Sequence, residues 1–259
     1  MNTLSGISSE EFRNIKYILT DIDDTLTRKG RILPETYTAL WNLKEAGYYS
    51  IPITGRPAGW CDCIARQWPV AGIIGENGAF AFYMDDGKLN RMYHPSAAPE
   101  NARNKLRELG NIILEKVPGS RIAKDQFCRM FDLAVDFREE PPFLGLQEAE
   151  EIRDICEDFG ATAKISSIHV NAWFGTYNKL DMTLMFLENR FGLSRNDAQN
   201  TCCFCGDSPN DEPMFEFFPI SCGVANISPF LSSLASKPAF VTEKTDGEGF
   251  AEFIRALIE

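Results

Sequence analysis

The residues best suited to chemistry stand together near one end of the chain. Tyr17-Ile18-Leu19-Thr20 is mostly apolar and gives way at once to Asp21-Ile22-Asp23-Asp24-Thr25-Leu26-Thr27. An apolar run that stops in acids and hydroxyls reads as a buried strand opening into a loop. Side chains alternate along a strand, so Asp21 and Asp23 share a face and Asp24 points away. Two carboxylates in one small volume repel each other unless a proton or a cation intervenes. The pair therefore asks for a metal ion, for proton transfer, or for both.

Three further polar clusters follow or open apolar runs. Thr54-Gly55-Arg56-Pro57 follows the run at 48–53, Lys179 opens an amphipathic stretch, and Gly206-Asp207-Ser208-Pro209-Asn210-Asp211 follows Thr201-Cys202-Cys203-Phe204-Cys205. Singly, each has an ordinary reading, because Asp, Thr, Gly and Asn are common loop residues. Lys179 is more telling, since a cation in the first turn of a helix opposes the macrodipole by about 0.3 to 1 kcal/mol. The chain has two histidines, His94 and His169, and neither lies in these clusters, so histidine acid-base chemistry is not central. His169 and Asn171 alternate along 167–174 and share a face that can cover a substrate. Arg56 and Asn77, the latter in the turn Gly75-Glu76-Asn77-Gly78, are further rim candidates.

The elements that would position these residues follow from periodicity. Residues 34–47 read as a helix, with Pro34 in its first turn, Tyr37, Leu40, Trp41 and Leu43 on one side, and Gly47 as its stop. Residues 48–53 read as a strand, despite Pro52, which cannot donate to a ladder. A helix over 57–68 and a strand over 70–74 complete the alternation of a parallel sheet with crossover helices. The rhythm then changes. Extended runs at 79–84 and 89–93 flank a turn, helices fit 99–109 and 146–159, and strands fit 131–137 and 167–174, as in an antiparallel sheet carrying helices.

From Tyr177 the first rhythm returns. A helix over 178–191 ends at Gly192, and a strand runs through Cys205. A loop and short helix follow over 206–218, a strand over 220–224, a helix near 229–235, a strand over 239–242 and a final helix over 249–258. The expected architecture is α/β: a doubly wound parallel-sheet, Rossmann-like core from residues 1–85 and 176–259, with an inserted α+β cap domain at 86–175. Ligands of such sheets bind beyond the carboxyl ends of the strands, where all four clusters open.

Composition narrows the partners. At 259 residues and 44% hydrophobic the chain can bury a large core, and its net charge of -11 speaks against nucleic acid or an anionic membrane as partner. An anionic substrate would need local Lys, Arg or metal charge. No apolar run approaches a membrane span and residues 1–13 are polar, so a soluble, cytosolic (cytoplasmic) protein is expected. The eight cysteines are irregularly spaced, which suggests buried thiols at Cys202, Cys203 and Cys205; the alternative is a metal cluster of these with Cys61 and Cys63, a pair without zinc-like spacing.

In order, Asp21-Ile22-Asp23-Asp24-Thr25-Leu26, Thr54-Gly55-Arg56, Lys179 and Gly206-Asp207-Ser208-Pro209-Asn210-Asp211 resemble the motifs of the haloacid dehalogenase superfamily of phosphotransferases. The insertion between the second and third motifs resembles the subfamily IIB cap of Cof-like sugar phosphatases, sucrose-phosphate phosphatase and mannosyl-3-phosphoglycerate phosphatase. One departure is Asp24, where many relatives have Gly. The resemblance implies that Asp21 is the nucleophile, forming an aspartyl phosphate, and that Asp23 is the general acid and base. It implies Mg²⁺ held by Asp21, the backbone carbonyl of Asp23, and Asp207. Thr54 would donate to the phosphoryl oxygens, Lys179 would neutralise charge, and Asn210 and Asp211 would steady Lys179 and the waters of the metal. Gly55, Arg56, Asn77, His169 and Asn171 would surround the substrate.

The expected function is hydrolysis of a small phosphorylated metabolite, a sugar phosphate by this resemblance. A phosphosugar mutase on the same core is the alternative, and a phospho-acceptor switch like the response-regulator receivers is the non-enzymatic one. The cap residues that would choose the substrate form no readable motif.

Overall fold

The computed structural model describes residues 2–3, 12–97 and 100–258. The first half runs β1 (Asn2–Thr3), β2 (Tyr17–Thr20), a small hairpin of β3 (Thr27–Arg28) and β4 (Arg31–Ile32), α1 (Pro34–Glu45), β5 (Tyr49–Pro52), α2 (Ala58–Gln67), β6 (Ile73–Gly75), β7 (Phe80–Asp85) and β8 (Lys88–Tyr93). The middle holds α3 (Ala102–Lys116), β9 (Arg121–Ile122), β10 (Asp132–Asp136), α4 (Leu146–Asp158), β11 (Thr162–Ile165) and β12 (His169–Trp173). The rest comprises α5 (Lys179–Phe191), α6 (Arg195–Thr201), β13 (Cys202–Gly206), α7 (Glu212–Phe217), β14 (Ser221–Gly223), β15 (Phe240–Val241) and α8 (Asp246–Ile258).

Six strands form one parallel sheet in the order β1-β15-β14-β13-β2-β5. A parallel sheet is buried on both faces, which is why β2 and β13 are apolar along most of their length and wholly buried. On one side Leu40 and Leu43 of α1, Ile64 of α2 and Phe250 and Phe253 of α8 cover the sheet. On the other, Met182 and Phe186 of α5, Ala198 of α6 and Met214 of α7 do so. Hairpin β6-β7-β8 is antiparallel and joins the edge beside β5 through a bridge between Ile53 and Ile74.

The middle segment makes its own antiparallel sheet, in the order β11-β12-β10-β9. Period two divides its residues. Leu133 and Val135 of β10 and Val170 and Ala172 of β12 pack against α3 and α4. The alternate positions, Asp132 and Asp136 of β10 and His169 and Asn171 of β12, are also buried yet polar. Their register pairs Asp136 with His169.

Three expectations from sequence change. No α-helix forms over 229–235; a 3₁₀ turn covers Ala225–Phe230 instead. Pro229 cannot donate to a helical ladder, and the Ser228 and Ser233 hydroxyls bond to the nearby carbonyls of Ala225 and Phe230. Helix α3 runs on to Lys116, because Ile113 extends its buried stripe past Gly110, where a Cβ would come to 3.3 Å from Ile122. The expected start of that helix at Pro99 lies outside the described residues. Strand β11 and helix α6 were not foreseen; α6 opens with a reciprocal cap in which Ser194 and Asp197 satisfy each other's backbone N–H groups.

Candidate active site

Adjacent strands β2 and β13 bring the first and last clusters together. Thr20 pairs with Cys205, and the Asp21 N–H continues the ladder to the Cys205 carbonyl at 2.9 Å. Asp21 and Asp207 therefore leave the sheet side by side. Lys179 arrives from the N-terminus of α5, where Asn178 caps the helix by accepting from the Asp181 N–H. Gly78 lies at φ +107°, and a Cβ there would overlap the Asn178 carbonyl, so only glycine lets this turn abut the start of α5.

The Lys179 ammonium sits 2.7 Å from Asp21 Oδ1 and 2.8 Å from Asp211 Oδ1. These contacts explain a cation against the helix dipole: two buried carboxylates outweigh it. The other Asp211 oxygen accepts from the Asp207 N–H at 3.2 Å, and a Cβ on Gly206 would overlap that carboxylate. Asp207 in turn accepts from the Thr25 hydroxyl at 3.3 Å and from Asn226 Nδ2 at 3.4 Å. Asn226 also donates to the Asp24 carbonyl and accepts from the Asp246 N–H, tying the loop after β2 to α8.

Carboxylate oxygens of Asp21, Asp207 and Asp211 lie within 4.8 Å of one another. Burial pushes Asp21 up to about 7, with Asp211 and Asp23 adding and Lys179 opposing. Burial likewise raises Asp207 well above the carboxylate range, with help from Asp21, Asp211 and Asp24. Burial alone would depress the Lys179 ammonium, but Asp21 and Asp211 outweigh it and hold it raised. One ammonium among three buried acids leaves excess negative charge on hard oxygen donors. Because Asp211 spends its oxygens on Lys179 and the Asp207 N–H, the donors left for a divalent cation are Asp21 and Asp207, a set that fits Mg²⁺.

The second cluster stands beside this one. Thr54 is fully buried, and its hydroxyl accepts from the Arg56 N–H at 3.0 Å. A Cβ on Gly55 would meet Asn77 Nδ2 at 3.2 Å and Asn171 Oδ1 at 3.5 Å, so these three residues converge. Asn77 Nδ2 is buried and unpartnered among the described residues. Arg56 is differently engaged from the substrate contact expected of it. Its guanidinium donates to both Asp23 oxygens, at 2.7 to 3.0 Å, and to Glu139 of the middle segment at 2.8 Å. Asn210 bonds to the Ser208 hydroxyl, so Asp211 is the residue of that loop that holds Lys179. Asp24 stays outside the three-acid cluster, not by strand alternation, since β2 ends at Thr20, but in a turn at φ +58°, in the left-handed region that glycine favours.

His169 and Asn171 do share the face turned to the site. His169 Nε2 lies 2.9 Å from Glu139 Oε2, and Asn171 donates to Asp132 at 2.9 Å. With Asp21, Asp23, Arg56 and Asn210 they line a small pocket, and Asp23 and Arg56 also border a cleft of about 1220 Å³ walled by Arg138, Phe143 and Lys164.

Residues 18–112 match the family model of haloacid dehalogenase-like hydrolases. Over those residues the chain is similar to the haloacid dehalogenase-like hydrolases. A comparison with curated proteins found no sequence match. Solved haloacid dehalogenase-like structures share its fold over nearly its whole length. A Thermoplasma acidophilum protein superposes with a TM-score of 0.70 at 18% identity, covering 94% of this chain and 98% of its own. A haloacid dehalogenase-like hydrolase from Bacteroides thetaiotaomicron gives 0.66 at 17%, covering 93% and 98%. The subclass IIB sugar phosphatase BT4131 gives 0.63 at 16%, again covering 93% and 98%. No helix among the described residues is long and apolar enough to cross a membrane.

Two functional candidates escaped sequence reading. Glu139 lies in the run Arg138-Glu139-Glu140, which looks like a solvated loop. Glu76 looked like a turn residue, yet it is fully buried. Its carboxylate accepts from the N–H groups of Ala58, Met130, Phe131 and Asp132, joining α2 to the start of β10. A charged residue between two apolar strands, Ile73–Gly75 and Phe80–Asp85, was the available signal.

Proposed function

We propose that the chain is a Mg²⁺-dependent phosphatase of subfamily IIB, acting on a small phosphorylated metabolite, a sugar phosphate in the first instance, through an aspartyl phosphate. The observation that carries this reading is the shared lysine. Lys179 bridges Asp21 and Asp211 while Asp207 stands alongside, so a buried nucleophile is held with its charge only partly offset. Mg²⁺, held by Asp21, Asp207 and the backbone carbonyl of Asp23, would offset the remaining repulsion between carboxylate and phosphate.

Asp21 attacks phosphorus with the oxygen turned from Lys179, and the bond to the leaving oxygen breaks as Asp23 gives that oxygen its proton. A water molecule then attacks the aspartyl phosphate, and Asp23 takes its proton. The Thr54 hydroxyl donates to the phosphoryl oxygens and Lys179 balances their charge. Residues 86–175 serve as the cap, shutting out bulk water and selecting the leaving group. A sugar phosphatase among the proteins of like fold supports the substrate class.

The test is phosphate release from a panel of phosphorylated metabolites, with and without Mg²⁺. Release should need the metal and should vanish in Asp21→Asn. Comparable turnover by that variant would sink the nucleophile assignment.

A further inference from the structure

Glu139 lies just after β10, and its own N–H donates to Asp136 Oδ1 at 2.8 Å, which fixes the loop that carries it. Its two oxygens have different partners. Oε1 accepts from Arg56 Nη1 at 2.8 Å, and Oε2 lies 2.9 Å from His169 Nε2. The opposite edge of the Arg56 guanidinium holds Asp23 bidentately. Trp60 covers the face of the guanidinium at 4.3 Å from its ring centroid, and Arg56 is only 3% exposed. A planar group pinned along two edges and one face has no freedom to turn. The plane of the Asp23 carboxyl is thus set by Arg56, and that of Arg56 by Glu139.

We propose that Glu139 is a positioning residue: through Arg56 it holds Asp23 at the angle needed to protonate the leaving oxygen, so acid catalysis is complete only with the middle segment seated on the core. The inference rests on the roles given above to Asp21 and Asp23. In the step concerned, the bond from phosphorus to the leaving oxygen breaks and its electron pair stays on that oxygen. The Asp23 proton moves to the same oxygen while Asp21 keeps the phosphoryl group. An alkyl or sugar alkoxide needs that proton to leave. A nitrophenolate departs without it, so in phosphoenzyme formation a misaligned acid slows the first ester and spares the second, whereas the later water step, with Asp23 as base, is shared by both.

The experiment compares the best sugar phosphate of the panel with p-nitrophenyl phosphate, measuring kcat, KM and single-turnover phosphoenzyme formation. The unsubstituted chain is set beside Glu139→Gln, His169→Asn and Asp23→Asn. Glu139 is about one-third exposed at its side chain, so its isosteric amide leaves the fold intact. Glu139→Gln should slow phosphoenzyme formation from the sugar phosphate by roughly 10- to 100-fold and from p-nitrophenyl phosphate by no more than about three-fold, with the half-saturating substrate concentration changed less than about two-fold. His169→Asn should show a smaller loss with the same split, and Asp23→Asn the largest.

Equal losses on both esters in phosphoenzyme formation, or a loss confined to half-saturation, would overturn the proposal. If Asp23→Asn shows the split and Glu139→Gln does not, the role of Glu139 falls and the reading of the site stands. Without a split in Asp23→Asn both fall together.

Discussion

Glu76 offers a test of the joint between core and middle segment that needs no substrate. Its carboxyl is held up at about 7, against an ordinary 4.5, first by burial and then by Asp132, with the N–H groups of Met130 and Phe131 and the Arg129 guanidinium opposing. Arg129 itself donates to Asp132, to Asp125 and to the Gly55 carbonyl, and Cys61 also faces this cluster. A group whose folded value is raised lends full stability below its unfolded value and loses it as pH rises through the folded one. At about 1.4 kcal/mol per tenfold change in proton affinity, the difference between 4.5 and about 7 is worth about 3 kcal/mol. Glu76→Gln is neutral throughout but turns an NH2 toward N–H groups the carboxylate accepts, so from whatever offset it has near pH 4.5 its stability relative to the parent should rise by up to about 3 kcal/mol by pH 8. Urea unfolding at half-unit steps from pH 4.5 to 8.5 measures the gap, and the raised acids away from this cluster cancel in the comparison. Parallel stability profiles for the two chains would refute the reasoning.

The site itself makes three further predictions. Lys179→Met leaves buried acids without their ammonium and should cost about 3 to 5 kcal/mol in urea unfolding without metal, with turnover lost; a cost below about 1 kcal/mol would contradict the ion pairs as described. Mg²⁺ at about 100 times its dissociation constant should add about 2.7 kcal/mol, or roughly 5 to 10 °C in Tm, and Asp207→Asn should remove most of that rise. An undiminished rise in the variant would place the cation elsewhere. Asp24→Gly relieves the left-handed backbone and thins the charge near Asp207, so Tm should hold or rise, by up to about 1 kcal/mol in stability, and a clear fall would show that the Asp24 side chain stabilises the fold.

The core was legible because its candidate site sits where strands end. Asp21, Thr54 and Asp207 each follow a buried run, and Lys179 announced itself by opposing a helix dipole. The middle segment hid its polar residues by the same period that revealed its strands. His169 and Asn171 alternate with Val170 and Ala172, and that pattern reads equally as a solvated face or as a covered one. Glu139 and Glu76 gain meaning only from distant partners: Arg56 and His169, 83 and 30 residues away, for the first, and Ala58 and Met130 to Asp132, 18 and 54 to 56 residues away, for the second. Such distant pairing leaves no trace in local periodicity. The failed helix at 229–235 shows the converse, a local pattern overruled by one proline and two serines.

The pairing of β2 with β13 also sets an order of events in folding. Asp21 meets Lys179 across 158 residues of chain, and no shorter segment can supply the neighbouring strand. At ribosomal rates of about 5 to 20 residues per second, β2 waits roughly 10 to 40 s with one long edge unsatisfied. During that time its apolar flank is a template for any free strand, including one from another nascent chain. The same arrangement that draws the acids together only in the finished molecule also makes the unfinished one dependent on a chaperone to cover that edge, since β5 pairs along the other one.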